Sequence, residues 1–476
     1  MHLADNPQME DFSLRYTPSA FRTWSPLMVF LSCLVGLSAM AGYALDAAFV
    51  NAFGFGNSLL GFAIASIVTL PLTIVIAFAI ARKHIDIDLL TRGSGFGYLG
   101  STVTSLVYAT YTLIFLAFEG AIMGQAVTAL TGLDIHWSYV VVSAVMVPLT
   151  LYGMSFSARF QAWTWPLWVV LIGLAVITAA TAPGAGEHMI DPVPLDGAGV
   201  GAVAGFSLVA VFVVAAANLS LATQVGEQGD YLRLMPDPEP GRLRGWRWAV
   251  IMGGPGFAVF AVVIFFASTL LVGYADTQAT AAEVALPVVY ANVGIAWIAA
   301  MVSDLVINKR VLGIGPAHVE FRRAHLFNVN PIGFGSMVVA GGVSVLAYFG
   351  AFGSLLAELA PFVSLVIALV LPPVLALLTR GRYYIARTSE FPEGATEATC
   401  VVCDATFDLV DMATCPFHSG AICSLCCSTD GACHDACKPS AWRPVPGGPV
   451  QLGMPRARVP VGASAIVAVS GPEVAS

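Results

Sequence analysis

The sequence predicts an all-α polytopic membrane protein: about ten transmembrane helices in two inverted sets of five, followed by a small cytoplasmic cysteine-rich segment that binds metal. Three observations carry that expectation. The 476 residues are 57% hydrophobic and only 11% charged, where a soluble protein carries roughly 25% charged residues, so a water-soluble enzyme is excluded. Uncharged apolar runs of about 20 residues, the length that spans a hydrocarbon core of roughly 30 Å, occur ten times between Leu27 and Thr379. Basic residues lie on one side of those runs and not on the other. The net charge of −8 leaves no broad basic surface for nucleic acid.

Residues 1–26 read as a polar cytoplasmic arm containing Arg15 and Arg22. The arm has no apolar core ending at a small-residue cleavage site, so the first span itself directs insertion. The transmembrane domain covers 27–380, with spans at about 27–50, 58–81, 99–130, 137–156, 160–182, 198–222, 248–275, 284–306, 332–354 and 359–379. Lys and Arg stay cytoplasmic during insertion. Arg82, Lys83 and Arg92 follow span two, and Arg159 follows span four. Arg233, Arg242, Arg244 and Arg247 follow span six, Lys309, Arg310, Arg322 and Arg323 follow span eight, and Arg380, Arg382 and Arg387 follow span ten. The opposite loops hold Asp134, Glu187, Asp191, Asp196, Asp276 and Glu283 without a basic residue. Both termini are therefore expected in the cytoplasm.

Because five is odd, a second set of five spans runs inverted relative to the first, the plan of many secondary transporters. In that plan the first helix of each set is broken near mid-membrane. Span one carries Gly36, Ser38, Ala39, Ala41 and Gly42, and span six carries Ala215, Ala216, Ala217, Asn218 and Ser220. Breaks are expected near Gly42 and Asn218, although small residues also serve close helix packing. A twelve-span count with re-entrant pieces at 309–330 is the alternative.

Ionisable groups in the hydrocarbon are functional candidates. Asp46, Glu119, Asp304 and Glu358 qualify, and Glu119 is the most central. Phe115, Phe118, Glu119 and Ile122 share a face of span three at spacings of three and four. A ring to stack on and a carboxylate to accept N–H donors suit a planar heterocycle. Asp304 and Glu358 lie near the interface and read as structural. Gly95, Gly97 and Gly100 match a dinucleotide fingerprint, but no strand precedes them and a membrane span follows. No phosphate-binding loop and no zinc-protease motif occurs, so ATP-driven transport within this chain and zinc proteolysis lack support.

Several segments resemble the nucleobase:cation symporters of purine/cytosine permease type. They are Tyr16 to Ser25, Phe53 to Gly61, Thr91 to Gly97, Gly124-Gln125-Ala126 and Asp230-Tyr231-Leu232-Arg233. The resemblance covers about 12–380 and implies a leucine-transporter-type fold, with substrate between spans one, three, six and eight. It also shows departures. Where the family places a stacking Trp and a hydrogen-bonding Gln, this chain has Phe115 and Glu119, and Asn308-Lys309-Arg310 replaces an Asn- and Ser-rich segment. Gly226-Glu227-Gln228 to Arg233 and the cysteines that follow are similar to transporter-like N-terminal membrane modules of bacterial hybrid sensor histidine kinases. No kinase follows here.

Eight of nine cysteines fall between Cys400 and Cys437. In a cytoplasmic tail disulfides are disfavoured, which favours a metal site. The ligand pairs are Cys400 with Cys403, Cys415 with His418, Cys423 with Cys426, and Cys433 with Cys437, leaving Cys427 and His434 over. Alternate pairing gives two tetrahedral zinc sites: Cys400, Cys403, Cys423 and Cys426, then Cys415, His418, Cys433 and Cys437. An iron–sulfur cluster or redox thiols are the alternatives. The segment spans 395–440, and the Pro- and Gly-rich 441–476 reads as a disordered tail.

The expected function is secondary transport of a nucleobase-like or other nitrogen-rich solute across a bacterial cytoplasmic membrane, driven by Na+ or H+. Solute contacts are assigned to Ser38, Gly42, Phe115, Glu119, Asn218 and Gln224. The alternative is a sensor that binds such a solute and relays it through the cysteine-rich tail to a cytoplasmic partner such as a histidine kinase. Membrane lipid is the other expected partner, and nucleic acid is not one.

Overall fold

The computed structural model describes residues 15–151, 153–182, 203, 205–271 and 281–438. The tail 441–476 and the loop residues Glu187, Asp191, Asp196 and Asp276 lie outside them.

Span one starts where Ser25 accepts a hydrogen bond from Met28 N (3.2 Å), with Pro26 at the first helical position, a combination that favours helix initiation. Pro26–Cys33 is α-helical and Leu34–Ser38 tightens into a 3-10 turn. Ala39 is extended (φ −72°, ψ 92°), and the helix restarts as Met40–Phe53, bent 48° from the first half. The break therefore precedes Gly42, which lies inside the second half. Span two is Phe55–Lys83, span three Tyr98–Thr131, span four Ile135–Leu151 and span five Gly153–Ala180. Span six runs as Leu208–Leu219, a 3-10 turn over Ser220–Gln224, and Val225–Leu232. Its irregular turn begins two residues after Asn218 and continues the helix without a sharp bend.

Span seven is bent by 41° between Leu243–Gly253 and the helix that follows. Span eight, Ala281–Ser303, continues as a π-helix over Asp304–Val311. Span nine joins Pro331–Gly335 to Ser336–Tyr348, and span ten is Ala360–Thr379. Seven stretches are long and apolar enough to cross a membrane, the two bent pairs make nine, and the shorter helix of span four is the tenth among the described residues. Residues 312–330 form a loop with one short 3-10 turn, Arg323–His325, and no re-entrant helix.

The packing repeats as an inverted pair of halves demands. Span two lies along span six as span seven lies along span one, and the span three–four contact has its counterpart in spans eight and nine. Span six runs through the middle, with Val211, Val214 and residues 215–219 buried. The loops after spans two, six and eight meet on one face: His84 Nδ1 approaches Arg233 O (3.2 Å), Asp86 lies 3.9 Å from Arg233, and Lys309 donates to Gly93 O.

On that face sits the cysteine segment. Strand β1 (Glu397–Thr399) pairs antiparallel with β2 (Thr406–Asp408), and β3 (Met412–Cys415) with β4 (Gly420–Cys423). A short helix, Ser424–Thr429, follows. Its small core of Phe407, Met412, Ala413 and Ile422 closes against Ala324 of the loop between spans eight and nine.

Candidate functional site

A helix that restarts inside a membrane exposes the unpaired N–H groups of its first turn, and no water is present there to satisfy them. Glu119 of span three supplies the acceptors. Its Oε2 accepts from Met40 N (3.2 Å) and its Oε1 from Ala41 N (3.0 Å), at the helix end whose partial positive charge favours an anion. The break in span one and the acid in span three are therefore one feature.

Glu119 continues a stripe along span three: Tyr108, Tyr111, Phe115 and Glu119, spaced by three or four residues. The Tyr111 ring lies 4.6 Å from Phe115 and 4.9 Å from Tyr290 of span eight. The hydroxyl of Thr223, in the irregular turn of span six, donates to Ser220 O (2.8 Å) and lies beside both phenols, while Tyr290 OH donates to Val107 O (3.4 Å). Deeper in, Tyr108 packs 6.1 Å from Trp297, whose indole N–H donates to Thr91 Oγ1 (3.0 Å). Spans one, three, six and eight thus converge on an aromatic wall with one carboxylate at its end.

The expected solute contacts divide. Phe115 and Glu119 share the stripe. Gly42 is two residues beyond the first capped N–H, and a Cβ there would meet Ile264 of span seven at 3.6 Å, so it faces span seven. Ser38 lines a separate cavity of about 280 Å³ with Leu34, Phe156, Gln161 and Trp165, between spans one and five. Asn218 is buried and turns its amide to Val214 O (3.1 Å), beside Phe62 and Thr69 of span two. Gln224 ends the irregular turn half-buried. Tyr111, Thr223 and Tyr290 were not anticipated. The spacing of Tyr108 and Tyr111 to Phe115 could have found the first, whereas Thr223 and Tyr290 come from distant spans.

Toward the basic face, Asp304 is fully buried. Its Oδ1 accepts from Asn308 Nδ2 (2.9 Å) and from Tyr384 OH, and Lys309 Nζ lies 3.5 Å from Oδ2. Gly95, at φ +81°, passes so close that a Cβ would lie 3.1 Å from Gly333 N and 3.3 Å from Asp304 Oδ1. Asp304 therefore ties the end of span eight to Tyr384, beyond span ten, and through Lys309, which also donates to Gly93 O, to the turn before span three.

In the cysteine segment the sulfurs of Cys400, Cys403, Cys423 and Cys426 lie within 4.8 Å of one another. Cys423 N and Cys426 N each donate to a sulfur at 3.4 Å, Cys400 Sγ and Cys423 Sγ respectively. The hydrogen bond from the Cys423 thiol pulls the Cys400 thiol down to about 4. Four soft donors on two C-x-x-C turns fit a tetrahedral metal ion. The other expected four do not converge. Cys415 Sγ lies 3.3 Å from His418 Nδ1, but no second group including Cys433 and Cys437 meets within 4.8 Å among the described residues. His418 Nε2 instead faces the Asp430 carboxylate at 3.0 Å. The left-over Cys427 lies near Cys415 and Cys437.

These features define a multi-pass helical membrane protein of leucine-transporter-type fold. The chain is similar to Mhp1, a nucleobase-cation-symport-1 family transporter, in a closed conformation with bromovinylhydantoin bound. The TM-score is 0.53 at 15% identity, covering 79% of this chain and 96% of that one. An inward-facing structure of Mhp1 gives a TM-score of 0.48 at 16% identity, over 79% of this chain and 97% of that chain. No protein-family model matches the sequence, and no curated protein matches it.

Proposed function

We propose that the protein is a secondary transporter of a small, planar, nitrogen-rich solute across a bacterial cytoplasmic membrane, coupled to Na+ or H+. The observation that carries this reading is the Glu119 carboxylate at the break of span one, one turn from Phe115 and two from Tyr111. Each carboxylate oxygen keeps a second lone pair, so a solute with N–H donors can bond there while its ring stacks on Phe115. The hydantoin held by Mhp1 supports that class of solute. The one-sided basic residues support cytoplasmic termini. The four-cysteine group supports one zinc ion in the tail, and a second ion would need Cys415, His418, Cys433 and Cys437 to draw together.

Uptake of labelled hydantoins and nucleobases into proteoliposomes, under imposed Na+ or proton gradients, tests the reading. Accumulation that collapses with the gradient is the expected result. Binding without accumulation under either gradient supports the sensor instead, a reading favoured by the seating of the cysteine segment on the membrane domain's loops. Absence of binding overturns both.

A further inference from the structure

The cysteine segment touches two groups of spans at once. On one side it holds the loop between spans eight and nine and the start of span three. Arg322 donates to Met412 O (2.8 Å), and Arg323 donates to Cys427 O (3.0 Å), Asp430 O (3.1 Å) and Asp435 Oδ1 (3.1 Å). Tyr98 OH donates to Ser428 O (3.1 Å). On the other side it holds the N-terminal arm: Tyr16 N donates to Asp411 Oδ1 (3.4 Å), and the Arg15 guanidinium lies 4.5 Å over the Phe407 ring. The arm is itself fixed to the ends of spans two and six. Thr17 N donates to His84 O (3.0 Å), Trp24 N to Leu234 O (3.1 Å), and Arg22 pairs with Asp237 at 3.2 Å. It then runs directly into the first half of span one.

The four-cysteine group sits at the joint. Ser424, between the ligands Cys423 and Cys426, donates to the same Asp411 oxygen that receives Tyr16 N. Asp411 is 2% exposed, so this connection is buried. We propose that the metal-loaded cysteine segment is a clamp that holds the arm of span one to the loop between spans eight and nine and keeps the cytoplasmic side closed. Rocking one set of spans against the other is the usual route of alternating access, and on this face it must part those two contacts. Loss of metal frees the C-x-x-C turn carrying Ser424, and with it the hold on Asp411 and the arm. The inference rests on the metal reading of the four cysteines and is independent of the solute.

Hydrogen exchange of the full-length protein in lipid nanodiscs, with metal counted by mass spectrometry, tests it. In zinc-loaded protein stripped by chelator, exchange at the arm amide that Asp411 holds, Tyr16 N, should rise by about tenfold or more, as expected when a held segment opens locally. Asp411→Ala should give the same rise with zinc retained. If Asp411→Ala also loses zinc, Arg15→Ala, outside the cysteine segment, takes its place with the same expected rise. Stripping that raises exchange only within 397–426, or zinc-retaining variants with an unchanged arm, overturns the clamp while leaving the metal site standing. Protein that binds no metal overturns the metal reading and the clamp together.

Discussion

At the scale of single residues, Glu119 has two duties, capping span one and presenting lone pairs to a solute. They can be separated. In Glu119→Gln the amide oxygen can still accept from Met40 N or Ala41 N, but the new NH2 group cannot accept from the other. One buried N–H then loses its partner, at a cost of about 1–3 kcal/mol. Thermal unfolding in detergent should show that loss without any solute present, and solute binding should weaken further. Phe115→Ala should weaken binding by the stacking contribution, about 1–3 kcal/mol. Unchanged melting and affinity in both variants would refute the cap and the site. That Glu119 and Phe115 share one face of span three was legible in the sequence, because helical spacing groups such neighbours. That Ser38 faces span five and Asn218 lies beside span two was not legible, because a polar residue in a span says nothing of which neighbouring span it faces.

At the scale of elements, the loop between spans eight and nine is held by charge. Burial raises the pKa of the Glu320 carboxyl, but hydrogen bonds from Arg322 (2.8 and 2.7 Å) and His325 (2.8 Å) outweigh it and hold the group well below the usual carboxylate range. A carboxyl depressed in the folded state contributes stability that is fully present above its unfolded value of about 4.3. That contribution is lost as pH falls through the lower folded value. Glu320→Gln should therefore lower the melting temperature at pH 7. The gap from the unsubstituted protein should shrink as pH falls below about 4, where the unfolded chain's carboxyl takes up a proton that the native carboxylate, with its lower pKa, does not. Melting curves from pH 3 to 8 check this, and a gap independent of pH would refute the charge network. None of it was legible beforehand, since Arg322 and Arg323 counted in the sequence only as markers of the cytoplasmic side.

At the scale of the whole molecule, the ten-span plan was legible because each span is a long apolar run and its flanking charges are one-sided. The break in span one was less so. It precedes Gly42 because the acceptor on another helix, Glu119, reaches Met40 N and Ala41 N. The metal pairing divided in the same way: C-x-x-C spacing locates two local turns, whereas the meeting of Cys433 and Cys437 with Cys415 depends on how the turns pack. The alternation of spans places the exposed Asp134–His136 pair, between spans three and four, on the face opposite Arg242. Cys33 is buried in span one and the other native cysteines share the basic face with Arg242, so each variant is read against the unsubstituted protein, whose own cysteines become accessible from the same side as Arg242. A membrane-impermeant maleimide should label Asp134→Cys in intact cells and reach Arg242→Cys only after permeabilisation. If Arg242→Cys reacts in intact cells, the orientation is reversed, and the cysteine segment would lie in an oxidising space where disulfides rather than a thiolate-bound metal are expected.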